Sequence, residues 1–415
     1  MSKEAIILAG GFGTRLRGIL PDIPKCMAPV NGQPFLTYVI RYLLSQGIER
    51  FIFSLGHKNK MIEEFLRLRF PTIRCVFVVE DEPLLTGGAI RLALGAVEGA
   101  NAFVLNADTL FRIDMRAMVA FHQQHQAECT VALKPMKDFD RFGVVVTDHD
   151  RIMRFEEKKK YDSGNINGGI YLLNKASFLW ENWPDAFSLE KEYLEKFPAE
   201  KKFYGFLQDS YFIDIGIPED YKRVQAELEM PDLHLDQIDQ SWTLFLDRDG
   251  VINHDPGTYV LRGEDFVVLD GVLEALRICS RVFGRIIVIT NQRAVGRNLL
   301  TEEQLQEMHA HLEREVEKAG GRIDAIYYCT SMADDHPDRK PNPGMAFRAK
   351  EQFPEIDFGK SIMIGDKKLD MEWARNIGAY AIWKKSATYP VSDDDPDVDV
   401  QCDSLIDFAS HLPKP

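Results

Sequence analysis

Short apolar runs alternate with amphipathic stretches along the whole chain. In the first half, strand-like runs fall at Ala5–Leu8, Arg50–Ser54, Arg74–Val79 and Ala102–Leu105. Between them, Pro34–Gln46, Asn59–Arg69 and Gly88–Val97 place apolar residues at helical spacing. This order predicts a parallel, doubly wound sheet. Thr130–Lys134, Gly143–Thr147 and Ile166–Leu173 read as strands with shorter connections, so the first sheet is expected to be mixed. The pattern breaks between Glu229 and Ser241, where Met230-Pro231-Asp232 stops a helix and a polar, acidic stretch follows. It resumes with strands at Trp242–Leu246, Arg285–Ile289, Ala325–Tyr328, Ser361–Ile364 and Tyr380–Trp383. Helices are expected at Val272–Arg281, Glu302–Lys318 and Leu369–Ile377. The reading is therefore α/β in two domains, residues 1–230 and 242–415, joined by a linker at 231–241. The aspartate-rich stretch Asp393–Asp399 reads as a solvated loop.

Composition narrows the class. A chain of 415 residues with a net charge of -14 has no nucleic-acid footprint and no attraction for an anionic membrane. Phosphorylated ligands must then be met by local cations. The six cysteines are far apart, with no C-x-x-C pair, so neither a disulfide framework nor a zinc knuckle is signalled. An apolar strand begins almost at once, without a signal peptide, and no run approaches a membrane span. A reducing cytoplasm is the expected compartment.

The first candidate site follows the first strand. Leu8-Ala9-Gly10-Gly11-Phe12-Gly13-Thr14-Arg15-Leu16 is followed by Pro24-Lys25. Glycines there let backbone N–H groups approach phosphate oxygens, and the next helix N-terminus favours an anion. Arg15 and Lys25 add positive charge. The spacing is neither that of a Rossmann dinucleotide turn nor that of a P-loop.

These strings resemble the sugar-1-phosphate nucleotidyltransferase family, over about the first 230 residues. The resemblance implies a Rossmann-like mixed-sheet domain. It implies that Leu8, Ala9, Gly10, Gly11, Gly13, Thr14, Arg15 and Lys25 hold a nucleoside triphosphate, with Thr86, Gly87 and Gly88 lining the base and ribose. It places sugar and phosphate contacts at Glu157, Lys158, Asn167 and Gly168, and Mg²⁺ between Asp108 and Asp214. In the implied reaction a sugar-1-phosphate oxygen attacks the α-phosphorus in line and pyrophosphate leaves, so the work is positioning and charge neutralisation. Within the family, Asp22-Ile23-Pro24-Lys25 and Met27-Ala28-Pro29-Val30-Asn31-Gly32 most resemble guanylyltransferases acting on D-glycero-D-manno-heptose 1-phosphate. Cys26 departs from the proline expected there. The choice of GTP rests on resemblance alone.

The second candidate site is built on Leu246-Asp247-Arg248-Asp249-Gly250-Val251-Ile252-Asn253. Strand ends in a parallel sheet open into the ligand crevice. There Asp247 can attack phosphorus while Asp249 serves as acid and then base. Thr290 and Asn291 end the next strand and can bond phosphoryl oxygens; Lys340 supplies a fixed charge. Asp366 ends another strand and can hold Mg²⁺ with Asp247 and the backbone carbonyl of Asp249. Asp370 either supports the site or begins a helix. This pattern resembles the haloacid dehalogenase (HAD) superfamily of phosphatases, over roughly residues 242–415.

Thr290-Asn291-Gln292 and Arg339-Lys340-Pro341-Asn342-Pro343-Gly344-Met345 narrow the resemblance to the branch containing heptose 1,7-bisphosphate 7-phosphatase and histidinol-phosphate phosphatase. It implies substrate contacts at Gln292 and Arg339. That branch often carries a zinc loop here. This chain keeps Cys329 but has Ser331, His336 and Asp338 at the other positions, a poor zinc donor set, so zinc is not expected.

Taken together, these resemblances imply a bifunctional enzyme of activated-heptose synthesis that uses Mg²⁺ in both domains. Its partners would be sugar phosphates and a nucleoside triphosphate, GTP by resemblance, with no nucleic acid or membrane. Oligomeric state is not encoded in any pattern seen here. The same two reactions on a mannose-type 1-phosphate or another nucleotide, and a phosphatase for histidinol phosphate, stay open. A non-catalytic nucleotide- or sugar-phosphate-binding regulator is the alternative of a different class, but it would not need the Asp247 and Asp249 pair.

Overall fold

The computed structural model describes residues 3–10, 23–56, 59–228, 233–392 and 395–413. The chain divides into two compact units, Met1–Glu229 and Met230–Pro415.

The first unit is built on a nine-stranded sheet. Its parallel half runs in the order Arg74–Val79, Arg50–Leu55, Glu4–Leu8, Asn101–Asn106. Tyr161–Asn174 then pairs antiparallel with both Asn101–Asn106 and Cys129–Phe139, so the sheet is mixed, as the shorter connections predict. Ala5 and Ile7 pack on one face of the central strand and Ile6 on the other, all fully buried. Burial on both faces is why this run reads as continuously apolar. The expected helix at Asn59–Arg69 keeps those bounds, whereas Gly88–Val97 becomes Leu85–Leu94. The Met115–Gln124 helix and the Arg151–Phe155 and Phe203–Leu207 strands were not predicted.

A two-stranded antiparallel ribbon lies apart from this sheet. It joins Thr109–Phe111 to Phe212–Asp214, with Asp214 opposite Thr109. The Ile215 N–H donates to the Asp108 carbonyl at 3.1 Å. This ribbon is what brings Asp108 and Asp214 together.

The second unit holds a six-stranded, all-parallel sheet. Its order is Ala325–Cys329, Arg285–Asn291, Thr243–Leu246, Ser361–Gly365, Tyr380–Lys384, Val400–Cys402. The first strand of the unit is central, with later strands added on both sides. This is the switch point at which doubly wound sheets open a crevice. The helix Glu302–Lys318 has the predicted bounds. A Thr301–Gln304 capping box starts it, and Leu305, Met308, Leu312 and Val316 form its buried stripe. Burying each such side chain contributes roughly 1.5–3 kcal/mol.

One expectation is corrected here. The aspartates after residue 394 are not a solvated loop. Asp397 is fully buried and pairs with Lys368 at 2.9 Å; Asp395 also pairs with Lys368. Asp399 takes a two-pronged bond from Arg375 at 2.7 and 2.8 Å and accepts from the Ala381 N–H at 2.8 Å. Cations on the Lys368–Ile377 helix turn an acidic run into a strap leading to the last strand, Val400–Cys402. Among the described residues, no helix is long and apolar enough to cross a membrane.

Candidate active sites

In the first unit, a cleft of about 680 Å³ opens at the ends of the Glu4–Leu8 and Asn101–Asn106 strands. Leu8, Ala9, Gly10, Lys25, Asp108 and Asp214 line it. The Lys25 ammonium lies 2.5 Å from Asp108 Oδ2 and 3.7 Å from Asp214 Oδ1. Gly216 makes this approach possible: a Cβ there would stand 2.8 Å from Asp214 Oδ1 and 3.1 Å from the Lys25 ammonium. Burial and the neighbouring Asp108 charge raise the Asp214 carboxyl above its ordinary range. Cys26 is buried beside this group, and burial pushes its thiol up to about 12, so it is a neutral wall rather than a thiolate. Gly11, Gly13, Thr14 and Arg15 lie outside the described residues.

The other predicted contacts divide. Thr86 lines the cleft, donating to Glu190 Oε2 and accepting from the Leu189 N–H, both at 2.9 Å. Gly87 and Gly88 serve packing: a Cβ on Gly87 would stand 2.3 Å from the Phe187 ring, and one on Gly88 2.7 Å from the Asp185 carbonyl. Gly168 packs against Phe111 in the same way, at 2.4 Å. The Asn167 side chain bonds Tyr171 and the Gly169 N–H. Glu157 and Lys158 are exposed and do not contribute to the cleft lining. Sequence reasoning missed Glu80. It lines the cleft 3.3 Å from where a Gly10 Cβ would be, and its Oε2 accepts from the Leu84 N–H at 3.0 Å.

In the second unit, Asp247, Thr290, Asn291 and Asp366 stand at or just beyond the ends of three adjacent parallel strands. Lys340 arrives from a loop, 2.8 Å from Asp247 Oδ1 and 2.6 Å from Asp370 Oδ1. Lys340, Asp247, Asp366 and Asp370 are all almost fully buried. Burial opposes the Lys340 charge, but Asp247 and Asp370 outweigh it and raise its pKa. Carboxylate oxygens of Asp247, Asp366 and Asp370 lie within 4.8 Å of one another. Burial and the Asp247 charge push Asp366 up to about 7. Burial also lifts Asp370, up to about 6, against the pull of Lys340. Two glycines make room for these acids: a Cβ on Gly250 would stand 2.2 Å from Asp366 Oδ2, and one on Gly365 2.1 Å from the Asp370 Cβ. Gly250 also has a φ of +89°, a region glycine adopts freely.

Asp249 is held differently. Arg248, with no exposed surface, donates to both of its oxygens at 2.9 and 3.0 Å. Asn253 and Gln292 donate to it as well, each at 2.9 Å. Burial opposes ionisation, but the Arg248 charge and these bonds win and hold the carboxyl below its usual range. His309 Nε2 accepts from the Arg248 guanidinium at 3.0 Å. Gln292 therefore positions Asp249, and it also bonds Thr290 Oγ1 at 2.9 Å. Asn291 positions Lys340, bonding its backbone N–H and carbonyl at 3.0 and 3.2 Å. Arg339 pairs with Asp334 at 3.2 Å. In the loop before it, Cys329 Sγ lies 3.7 Å from His336 Nδ1, which accepts from the Asp338 N–H, while the Asp338 carboxylate pairs with Arg348. Arg248 and His309 were missed because nothing in their spacing marks them. Asp370 had a signal, falling four residues after Asp366 in the first turn of the Lys368–Ile377 helix.

Comparison with known proteins finds similarity in both units. Residues 4–230 match the nucleotidyl transferase family model. Residues 338–407 match the HAD-hydrolase-like model. A D-glycero-alpha-D-manno-heptose 1-phosphate guanylyltransferase of Aneurinibacillus thermoaerophilus is 48% identical over 54% of this chain and 98% of its own length. The enzyme of that name from Campylobacter jejuni is 44% identical over 52% of this chain and 96% of its own. The crystal structure of HddC from Yersinia pseudotuberculosis complexed with GMP-PN is 35% identical, with a TM-score of 0.51, over 55% of this chain and all of that one.

Proposed function

Because this chain belongs to the nucleotidyl transferase family and carries a HAD-like unit beside it, we propose that it makes a guanosine-diphosphate heptose in two steps. The second unit would remove the 7-phosphate from D-glycero-D-manno-heptose 1,7-bisphosphate. The first would join the resulting 1-phosphate to GMP from GTP. The observation that carries the reading is the pairing on one chain. A cleft lined by Lys25, Asp108 and Asp214 accompanies a buried Asp247, Lys340, Asp366 and Asp370 cluster suited to cleaving a phosphomonoester. The product of one unit is then the substrate of the other.

In the phosphatase, the Asp247 carboxylate would attack phosphorus and the bond to the sugar oxygen would break, with Asp249 giving that oxygen its proton. Water would then attack the aspartyl-phosphate, pass a proton to Asp249 and release inorganic phosphate. The bonds that Asp249 accepts favour its ionised form. The first step therefore requires that carboxyl to take up a proton and loosen from Arg248. Lys340 neutralises the nucleophile and, once phosphate is bound, its oxygens. Asp247, Asp366 and Asp370 fit a hard cation: three converging carboxylates, with Asp366 Oδ1 buried and unbonded among the described residues. Bound Mg²⁺ would neutralise phosphoryl charge there.

In the nucleotidyltransferase, Asp108 and Asp214 would hold Mg²⁺, since two carboxylates completed by substrate phosphates suit that ion. The sugar 1-phosphate oxygen would attack the α-phosphorus as the bond to pyrophosphate breaks, with Lys25, and Arg15 by resemblance, meeting the charge. Glu80 supports the choice of guanine. Guanine presents an exocyclic amino donor that adenine lacks at that position, and a carboxylate only accepts. A panel of four nucleoside triphosphates and several sugar bisphosphates, with phosphate and pyrophosphate release measured separately, tests the reading. It fails if heptose phosphates release neither product.

A further inference from the structure

One buried group beside the second site has no place in the chemistry above. His309 sits in the middle of the Glu302–Lys318 helix and is 5% exposed. Its ring centroid stands 5.5 Å from that of Tyr328, whose hydroxyl is hydrogen-bonded to Gln306 and Glu302 of the same helix. Helix and strand together fix where the ring stands.

The ring meets Arg248 rather than a carboxylate, and the three guanidinium nitrogens divide their bonds. Nε and Nη2 form a fork on Asp249, Nε at 3.1 Å and Nη2 at 2.9 and 3.0 Å. Nη1 donates to His309 Nε2 at 3.0 Å instead. A guanidinium only donates, so Nε2 is the acceptor and the ring proton is on Nδ1. Burial, and then the Arg248 charge, keep the ring neutral. Arg248 has no exposed surface and lies over the Phe266 ring, 5.4 Å from its centroid, so water does not replace a lost acceptor there.

This arrangement matters when Asp249 changes charge. Ionised, Asp249 is the counterion of Arg248. Protonated, as the acid, it holds the guanidinium less well. His309 is the acceptor that stays.

We propose that His309 is a positioning residue for the acid–base step of the phosphatase, acting through Arg248. By taking Nη1 it fixes which edge of the guanidinium faces Asp249, and it still holds the buried cation when Asp249 carries a proton. In the step it serves, an Asp247 oxygen bonds phosphorus, the bond from phosphorus to the sugar oxygen breaks, and that oxygen takes the Asp249 proton. Without His309, Nη1 is a buried donor with no partner. Arg248 then turns wholly onto Asp249 and favours the carboxylate over the acid. This role rests on the phosphatase reading above.

The test compares two esters on the full chain with Mg²⁺. Heptose 1,7-bisphosphate loses a sugar alkoxide, which needs a proton from Asp249. 4-Nitrophenyl phosphate loses a phenolate, which does not. The readout is the ratio of kcat/KM for the first ester to that for the second, taken on one preparation, so that any unfolded fraction cancels. In His309→Leu the ratio falls roughly tenfold or more, because only the proton-dependent ester loses its acid. His309→Gln, whose side-chain carbonyl can stand where Nε2 stands, keeps the ratio within about threefold of the wild type. Should the leucine variant not fold, His309→Asn, which has an acceptor too short to reach Nη1, must lower the ratio in its place. Equal losses on both esters, or no rescue by glutamine, overturn the role. Wild type that releases no phosphate from heptose 1,7-bisphosphate sinks the phosphatase reading and this role with it. Wild type that cleaves both esters, with an unaltered ratio in the leucine or asparagine variant, sinks the role alone.

Discussion

The ammonium of Lys340 lies 2.8 Å from Oδ1 of Asp247, although a loop supplies one and the end of the central strand the other. Both are almost fully buried, and Asp370 closes the pair from the other side. A buried carboxylate neutralised in this way can approach a phosphate dianion that would otherwise repel it. Lys340→Ala should therefore cost roughly a hundredfold or more in phosphate release, from removal of one preorganised charge. It also leaves buried carboxylates uncompensated, so the melting temperature of the second unit should fall. Calorimetry beside the phosphate assay separates the two effects.

The two activities should be separable. Asp247→Asn removes the proposed nucleophile and should abolish phosphate release while nucleotidyl transfer to supplied heptose 1-phosphate persists. Lys25→Ala or Asp108→Asn should do the reverse. Loss of both activities from either change, in protein that still melts cooperatively, would contradict independent sites.

Magnesium binding should be linked to pH. Without metal, Asp366 and Asp370 titrate near about 7 and about 6, above their unfolded values. Raised carboxyl pKa values mean that the folded state holds extra protons. Their contribution is present in acid and lost as pH rises through about 6 to 7. The cation needs these groups ionised. The Mg²⁺-induced rise in melting temperature should therefore be larger at about pH 8 than at about pH 5.5. An equal rise at both would count against these ligands.

Much of this fold was legible in the sequence because the strands are buried on both faces. In the first unit Ile6 packs into one core layer and Ala5 and Ile7 into another, and in the second Phe245 packs into one and Leu244 and Leu246 into another, which leaves continuous apolar runs. Asp247, Lys340 and Asp366 were legible because each adjoins a strand end or a proline-rich loop. What pattern cannot show is which polar side chains face one another. Gln292 and Asn291 point at Asp249 and Lys340. Gly87 and Gly168 make room for Phe187 and Phe111. The acidic run after residue 394 misled because its cations lie on a helix distant in sequence.

The buried histidine behind Arg248 should make the second unit acid-sensitive. Burial and the Arg248 charge push His309 down to about 3, below its unfolded value. The unfolded chain then binds the extra proton, so stability is present above about pH 6.5 and falls as pH drops from there toward about 3. His309→Gln should be less stable at neutral pH but lose less on acidification. Thermal melts across that range decide it, and parallel losses in both proteins would remove His309 from the account.

Guanine selection should depend on Glu80. Glu80→Gln replaces an acceptor-only group with one that carries donors. The loss of one good base contact is worth about 1–3 kcal/mol, so the preference for GTP over ATP should fall roughly tenfold or more. An unchanged preference in pyrophosphate-release assays would place base recognition elsewhere.

The central claim is that dephosphorylation precedes nucleotidyl transfer on this one chain. A remaining 7-phosphate would put an extra dianion where a sugar hydroxyl is expected, leaving it desolvated and unpaired. The most direct measurement supplies heptose 1,7-bisphosphate, GTP and Mg²⁺ to the wild type and to Asp247→Asn, and follows nucleotide sugars by mass spectrometry. The account predicts GDP-heptose from the wild type and almost none, phosphorylated or not, from the variant. GDP-heptose 7-phosphate formed by Asp247→Asn as fast as GDP-heptose forms from the monophosphate would contradict it.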